Sequence, residues 1–413
     1  MRAKIRVSIL GLHYPPEPTG NAPYVGSLAE GLMTRGFSVQ VLSGQPHYPD
    51  GIFREGYGQW SRREQVEGVP VTRLRHFLPR RPGGVKRLLS EISFGIRLLF
   101  ARWGQPDIVL LVSPALFSIG LAILRARLSW RRPVIAVWVQ DLYSLGVTET
   151  GVGGKAVARI MTWVESNTLG AASCIVVIHS RFADYVVGTL GVSAERIEVV
   201  RNWTHLKPGL KPNISLIRSG LGWCEDELVV LHAGNMGAKQ GLENVIRAAR
   251  LADAQGKSVR FVLLGNGNQR AALGELGTGI GRLQFIDSLD EDAFQSALAA
   301  ADVLLVNEKP GVSGMAVPSK LTSYFSTGRP VLAATDRRGV TAGEVEAAGA
   351  GVVVAAGDPQ ALLDAAVALG KDTVRAEMLG ASGLRYRQEV LGEEVALDRY
   401  AEILTNLACG RRQ

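Results

Sequence analysis

Apolar runs of four to six residues alternate with helix-period segments along this chain. The runs at 5–10, 37–42, 69–74, 107–112, 134–139, 174–178 and 196–200 read as strands of the first half. Those at 228–232, 259–264, 282–286, 301–306, 331–334 and 351–354 read as strands of the second. Most are continuous rather than alternating and rich in Val, Ile and Leu, as parallel strands covered on both faces are. Between them, Val25, Leu28, Ala29 and Leu32 mark a helix ended by Gly36, and Leu242, Val245, Ile246 and Ala249 mark another. Helices are also expected at 155–169, 290–298, 321–327, 359–369 and 393–407. The order is βαβα throughout, which predicts α/β layers around parallel sheets. Segment 201–213 holds prolines without periodicity and is the expected interdomain linker. Segment 142–154 is expected to be a flexible loop.

The apolar run 108–124 reaches the ~17-residue lower limit for a membrane span. Ser113-Pro114 interrupts it as an N-cap and first helical residue would, so it reads as strand, turn and helix. Segment 85–103 carries Val85, Leu88, Leu89, Ile92, Ile96, Leu99 and Trp103 on one stripe, with Lys86, Arg87, Arg97 and Arg102 elsewhere. Such a helix either turns the stripe to a core or lies on an anionic membrane. Arg80, Arg81, Arg125, Arg127, Arg131 and Arg132 add to the charge.

At 413 residues the chain exceeds one ordinary core, so two domains are expected. The net charge of +8 favours anionic partners. No basic strand studded with aromatics and no recognition helix stands out, which argues against nucleic acid. Cys174, Cys224 and Cys409 have no CxxC spacing, which argues against a disulfide framework and a cysteine zinc site. The run VSILGL is too short for a signal peptide, and a cytoplasmic place is expected, with an option on the inner face of the plasma membrane.

Candidate chemistry sits at strand ends. After strand 228–232 come Gly234, Gly237 and Lys239, and then a helix. Glycine amides, a helix N-terminus and a lysine suit a diphosphate, though an ordinary βα turn uses the same residues. Gly265-Asn266-Gly267 is a second tight loop. Pro318-Ser319-Lys320 opens a helix and forms a second candidate anion site. Asp141 ends strand 134–139, where it could take a proton from a substrate hydroxyl or simply close the loop. His179 reads as a structural strand-end residue before an N-cap at Ser180. Asp290-Glu291-Asp292 spells D-x-D, but acids open many helices for electrostatic reasons.

Four motifs in order resemble glycosyltransferase family 4, retaining enzymes of the GT-B fold, most of all its bacterial colanic-acid-type polysaccharide branch. They are YPPEPTGNAPY at 14–24, WVQDLY at 138–143, HAGNMGAKQGLENVI at 232–246 and VPSKLTSYFSTGRPV at 317–331. The resemblance implies two Rossmann-like domains facing a cleft: 1–203 for the acceptor, 204–386 for a nucleotide sugar, and a C-terminal helix in 387–413 crossing back to the first. It implies a metal-independent hexosyl- or deoxyhexosyltransferase. The nucleotide sugar would be co-substrate rather than cofactor, and the acceptor a saccharide, free or polyprenyl-linked.

By position, Asn235, Gly237, Lys239 and Gln240 would surround the diphosphate. Ser319 and Lys320 would reach it from the other side. Amides of Met315, Ala316 and Val317 would lie near the sugar, and Gly265, Asn266 and Gly267 near the base. Gly20 and Asn21 would close over the reacting centre. Asp141 falls where many relatives carry a histidine. Lys239, Lys320 and Asp141 are the expected catalytic groups. The pattern also departs from the family. Asn235 replaces an arginine, and Met315 and Ser323 stand where a glutamate pair is usual, so the ribose-holding glutamate is absent. A soluble-acceptor transferase, an epimerase and a non-catalytic nucleotide-binding module remain alternatives.

Overall fold

The computed structural model describes residues 4–17, 20–47, 51–79, 84–150, 154–203, 213–311 and 320–410. The chain divides into two compact units, Met1–Trp203 with Glu393–Gln413, and Thr204–Gly392.

Unit 1 holds strands β1 (Arg6–Gly11), β2 (Ser38–Gly44), β3 (Ser61–Val66), β4 (Val69–Leu74), β5 (Ile108–Val112), β6 (Val134–Val139), β7 (Cys174–Val177) and β8 (Ile197–Val199). They form one sheet in the order β3-β4-β2-β1-β5-β6-β7-β8. All neighbours run parallel except the β3–β4 hairpin. Its helices are α1 (Ala22–Thr34), α2 (Gly84–Phe100), α3 (Leu116–Leu128), α4 (Tyr143–Thr150), α5 (Gly154–Gly170) and α6 (Ser180–Gly188).

Unit 2 holds α7 (Ile214–Leu221), β9 (Leu228–Ala233), α8 (Glu243–Ala254), β10 (Val259–Leu264), α9 (Arg270–Leu276), β11 (Leu283–Ile286), α10 (Glu291–Ala300), β12 (Val303–Asn307), α11 (Lys320–Phe325), β13 (Val331–Thr335), α12 (Val340–Ala348), β14 (Gly351–Ala355), α13 (Pro359–Lys371) and α14 (Thr373–Glu389). Its sheet is wholly parallel, in the order β11-β10-β9-β12-β13-β14. β9 lies at the point where the strand order reverses, the place where open α/β sheets take ligands.

The last helix, α15 (Glu393–Gly410), belongs to unit 1. Leu397 fills the groove left by Gly31 on α1, where an added Cβ would lie 2.5 Å from it. The Tyr400 ring packs 5.2 Å from Trp138 and 6.3 Å from Trp203, all three fully buried. Arg35 holds Glu394 at 2.6 Å and Asp398 at 2.7 Å.

Several local expectations change. The expected loop at 142–154 contains a helix: α4 occupies Tyr143–Thr150, its start pinned by buried Glu165, which accepts from the amides of Tyr143 and Ser144. Ser113 does not cap α3. Its hydroxyl accepts from the amides of Gln140 and Asp141 and so ties β5 to the end of β6. His179, not Ser180, caps α6, with Nδ1 accepting from the Arg181 amide at 3.1 Å. Asp290 caps α10 through the Ala293 amide at 2.9 Å.

The largest change concerns α2. Its buried face is Ser90, Glu91, Phe94, Gly95 and Leu98, not the apolar stripe. A Cβ on Gly95 would lie 2.7 Å from Leu121 and 3.0 Å from the Ser118 backbone, so small residues let α2 and α3 approach closely. Val85, Leu89, Ile96 and Phe100 are left exposed.

Candidate functional site

In unit 2 the loop after β9 and the loop after β10 are laced together through their backbones. The Gly234 amide donates to Leu264 O at 2.9 Å, Met236 to Asn266 O at 2.8 Å, and Gln269 back to Met236 O at 3.0 Å. This lacing admits no side chain at two points. A Cβ on Gly265 would lie 2.2 Å from the Gly234 carbonyl oxygen, and one on Gly267 would lie 2.5 Å from Met236 O. The sequence suggested that Gly234 and Gly237 offer free amides to a ligand. Instead both are spent inside the protein, Gly234 on β10 and Gly237 on the Gln240 side chain at 3.0 Å. Gln240 is thereby a loop brace. Asn307 adds another, donating from Nδ2 to the carbonyls of Gln240 and Gly241 and receiving Asn244 on its own oxygen.

The charge at this site therefore comes from side chains. Lys320 starts α11, and its Nζ lies 3.2 Å from Nε2 of His232, a residue with no exposed surface near the end of β9. The same amine sits 3.9 Å from where a Gly234 Cβ would stand, so it borders the glycine loop. Burial, then the neighbouring ammonium, pushes the His232 pKa well below the usual imidazole value. A neutral ring keeps a lone pair for the ammonium. Burial also lowers Lys320 to about 8, against the pull of Glu308. Glu308 is held in turn by the hydroxyls of Thr335 and Thr341. Tyr324, one turn along α11, accepts from the Ala233 amide at 2.9 Å and locks the helix to the strand end below Lys320. Lys239 and Asn235 are exposed on the rim of the loop.

In unit 1, Asn21 donates from Nδ2 to Ser113 O at 2.9 Å, and Ser113 in turn binds the backbone of Asp141. Asn21, Ser113 and Asp141 are thus joined at the carboxyl ends of β1, β5 and β6. Gly20 adopts φ +71° just before, a conformation that favours glycine. Asp141 is exposed, and its Oδ1 accepts from the Leu142 amide at 2.9 Å.

Of the sequence-predicted residues, Asn235, Gly237, Lys239, Gln240, Gly265, Asn266, Gly267 and Lys320 gather around the end of β9. Gly20, Asn21 and Asp141 gather in unit 1. Met315, Ala316, Val317 and Ser319 lie outside the described residues. His232, Glu308 and Asn307 were missed as site residues. Each is a polar residue closing a buried apolar strand, and that position was the available signal.

The chain matches the family model "Glycosyl transferase 4-like domain" over residues 19–203 and "Glycosyl transferases group 1" over 227–372. It is 31% identical over 338 residues to WcaI of Escherichia coli K12, assigned to colanic acid biosynthesis as a glycosyl transferase. That match covers 78% of this chain and 82% of that protein. The fold resembles sucrose-phosphate synthase of Thermosynechococcus elongatus, with TM-score 0.75 and 18% identity over 98% of this chain and all of that one. It also resembles Anabaena HepE solved with UDP, with TM-score 0.71 and 15% identity over 97% of this chain and all of that one.

Proposed function

Because the chain belongs to glycosyltransferase family 4 with the GT-B fold, we propose that it moves a hexose or deoxyhexose from a nucleoside diphosphate to a lipid-linked saccharide during cell-surface polysaccharide synthesis. Membership rests on the two domain matches and the 31% identity to WcaI. The observation that carries the donor half is the half-buried ammonium of Lys320 beside Gly234.

As the sugar–phosphate bond breaks, the leaving diphosphate gains negative charge. A cation already held in a low-dielectric setting stabilises that charge more in the transition state than in the ground state. Lys239, on the exposed rim, supplies a second cation. Two lysines serve the leaving group without a metal in the transfer step. The sugar leaves with retained configuration, and the departing phosphate helps take the acceptor proton. Asp141 orients the acceptor hydroxyl. Ser323 stands on α11 where relatives carry a glutamate, so ribose recognition here uses other groups. HepE was solved with UDP, which makes uridine nucleotides the first to try.

Saturation-transfer NMR against UDP-, GDP-, ADP- and dTDP-sugars tests this reading. One nucleotide class should bind selectively. Binding of none, with or without a lipid-linked acceptor present, overturns it.

The lipid half rests on α2. Its outward face carries Val85, Leu89, Ile96 and Phe100, and Leu124, Leu128 and Trp130 are exposed on and after its neighbour α3. Phe100 is 84% exposed and Trp130 fully so. The exposed arginines Arg102, Arg127, Arg131 and Arg132 accompany them. Apolar side chains with cationic neighbours suit an anionic leaflet, such as the inner face of the plasma membrane. No helix among the described residues is long and apolar enough to cross a membrane. The protein should co-sediment with phosphatidylglycerol vesicles and not with phosphatidylcholine ones. The pair Phe100→Ser and Trp130→Ser should reduce the bound fraction at least about tenfold, given the apolar area lost. Equal binding by the double variant, or none by the parent, removes the lipid half.

A further inference from the structure

We propose that His13, Glu17 and His47 form a binding site for a divalent transition-metal ion of the zinc class. A ring nitrogen from each histidine and a carboxylate oxygen of Glu17 all lie within 4.8 Å of one another. The residues come from the loops that follow β1 and β2, which are neighbours in the unit 1 sheet. Both loops leave the carboxyl edge, where such sheets carry their sites.

The carboxylate is the unusual element. Glu17 is 3% exposed, and a buried carboxylate is costly unless its oxygens are satisfied. Oε1 accepts from the His47 backbone amide at 2.8 Å, and Oε2 faces His13 Nδ1 at 2.8 Å. This fixes the carboxylate between two imidazoles. His47 Nδ1 lies 2.8 Å from the Gln45 carbonyl and 3.6 Å from Glu17 Oε1. A carbonyl can only accept, so Nδ1 carries the proton and Nε2 keeps the lone pair. A backbone carbonyl in that role is how metal-bound histidines are commonly oriented. His76 backs the cluster, its ring edge-on to His47 at 5.3 Å.

Two imidazoles and one carboxylate are the donor set of zinc, cobalt and nickel sites, whereas magnesium and calcium prefer oxygen alone. The 2.8 Å contact of His13 with Glu17 is a hydrogen bond, shorter than the separation of two ligands on one ion. With metal–nitrogen bonds of about 2.0–2.1 Å, His13 must swing outward by roughly 0.5 Å. It is the partner with room to do so, at 19% side-chain exposure against 1% for Glu17. Metal entry displaces the proton shared by the His13–Glu17 pair and leaves a coordination position for water or a substrate oxygen. The site belongs to unit 1, the lysines of the donor loops belong to unit 2, and no step of sugar transfer is routed through the ion.

The test uses the full chain, stripped with chelator and titrated with Zn²⁺ by calorimetry and with Co²⁺ by its visible absorption. One ion per chain is expected, and His13→Ala and His47→Ala should each weaken binding at least about tenfold. Glu17→Gln should do the same, but Glu17 also holds its loop. His13→Ala leaves the bond from Glu17 to the His47 amide intact and is the decisive variant, checked for an unchanged melting temperature. No uptake by the parent chain overturns the proposal. So does uptake that persists in the His13→Ala, His47→Ala double variant.

Discussion

Replacing Lys320 with methionine is expected to lower kcat/KM for the nucleotide sugar by about 10²–10³-fold, the range found when one preorganised donor to a developing anion is removed. Methionine keeps the length of the side chain and loses the ammonium. Of the partners left behind, His232 is neutral and fully buried, and Glu308 keeps the hydroxyls of Thr335 and Thr341. Thermal stability should therefore hold or rise while activity collapses. A merely structural lysine would give the opposite pattern.

The pH profile gives an independent check. Burial lowers the Lys320 pKa to about 8, so in the free enzyme the cation is present below that pH and lost above it. Donor kcat/KM should fall as pH rises through about 8, and this limb should be missing from the residual activity of Lys320→Met. Stability moves the other way for this group. Between about 8 and the ordinary lysine value of 10.5 the unfolded chain binds the proton and the folded one does not. Unfolding free energy from Lys320 thus rises with pH in that window. Activity and stability diverging over one pH range would locate the effect at the Lys320 amine. Activity within tenfold of the parent in Lys320→Met would remove Lys320 from the mechanism.

The second large effect is expected at Gly265. An alanine there places Cβ 2.2 Å from the Gly234 carbonyl oxygen, a backbone atom with no flexible end to move aside. Its φ of +125° is itself strained for any residue with a side chain. Strain and overpacking each cost about 1–3 kcal/mol, so at least about 2 kcal/mol is expected. For a unit of this size that lowers the melting temperature by roughly 5 °C or more. The two laced loops must part, so nucleotide affinity should drop at least about tenfold as well. Gly256→Ala is the control. It also has positive φ, at +58°, but nothing within 4 Å of the added carbon, so it should leave nucleotide binding unchanged. Equal behaviour of the two variants would mean that the lacing does not shape the site.

The parallel strands were legible because their buried runs leave little choice of period, and the four motifs fall at the strand ends where the candidate residues gather. Other features were not. β3, SRREQV, is an edge strand whose burial alternates between exposed and half-buried, so it has no apolar face to announce it. α4 has little apolar periodicity and is set by Glu165, 22 residues from Tyr143. In α2 the period marked an apolar stripe without saying whether it faced the core, and the buried face proves to be the one where Gly95 lets α3 approach beside Phe94 and Leu98. The glycine loop was located correctly, but its amides were misread. The pairing of β9 with β10 shows where the Gly234 bond goes, and the turn that brings back the Gln240 side chain shows where the Gly237 bond goes. The contact of Lys320 with His232 spans 88 residues and has no local signature.

The return of α15 to unit 1 has a consequence for how the protein is made. A ribosome releases the β1–β8 segment before unit 2, and Tyr400 only after it. Until then Trp138 and Trp203 lack the ring that closes their cluster, and Gly31 faces a groove without Leu397. Unit 2, continuous in the chain, can complete its fold during synthesis, as domains do. Unit 1 is begun before unit 2 and finished after it, so its apolar surface waits for α15 to emerge.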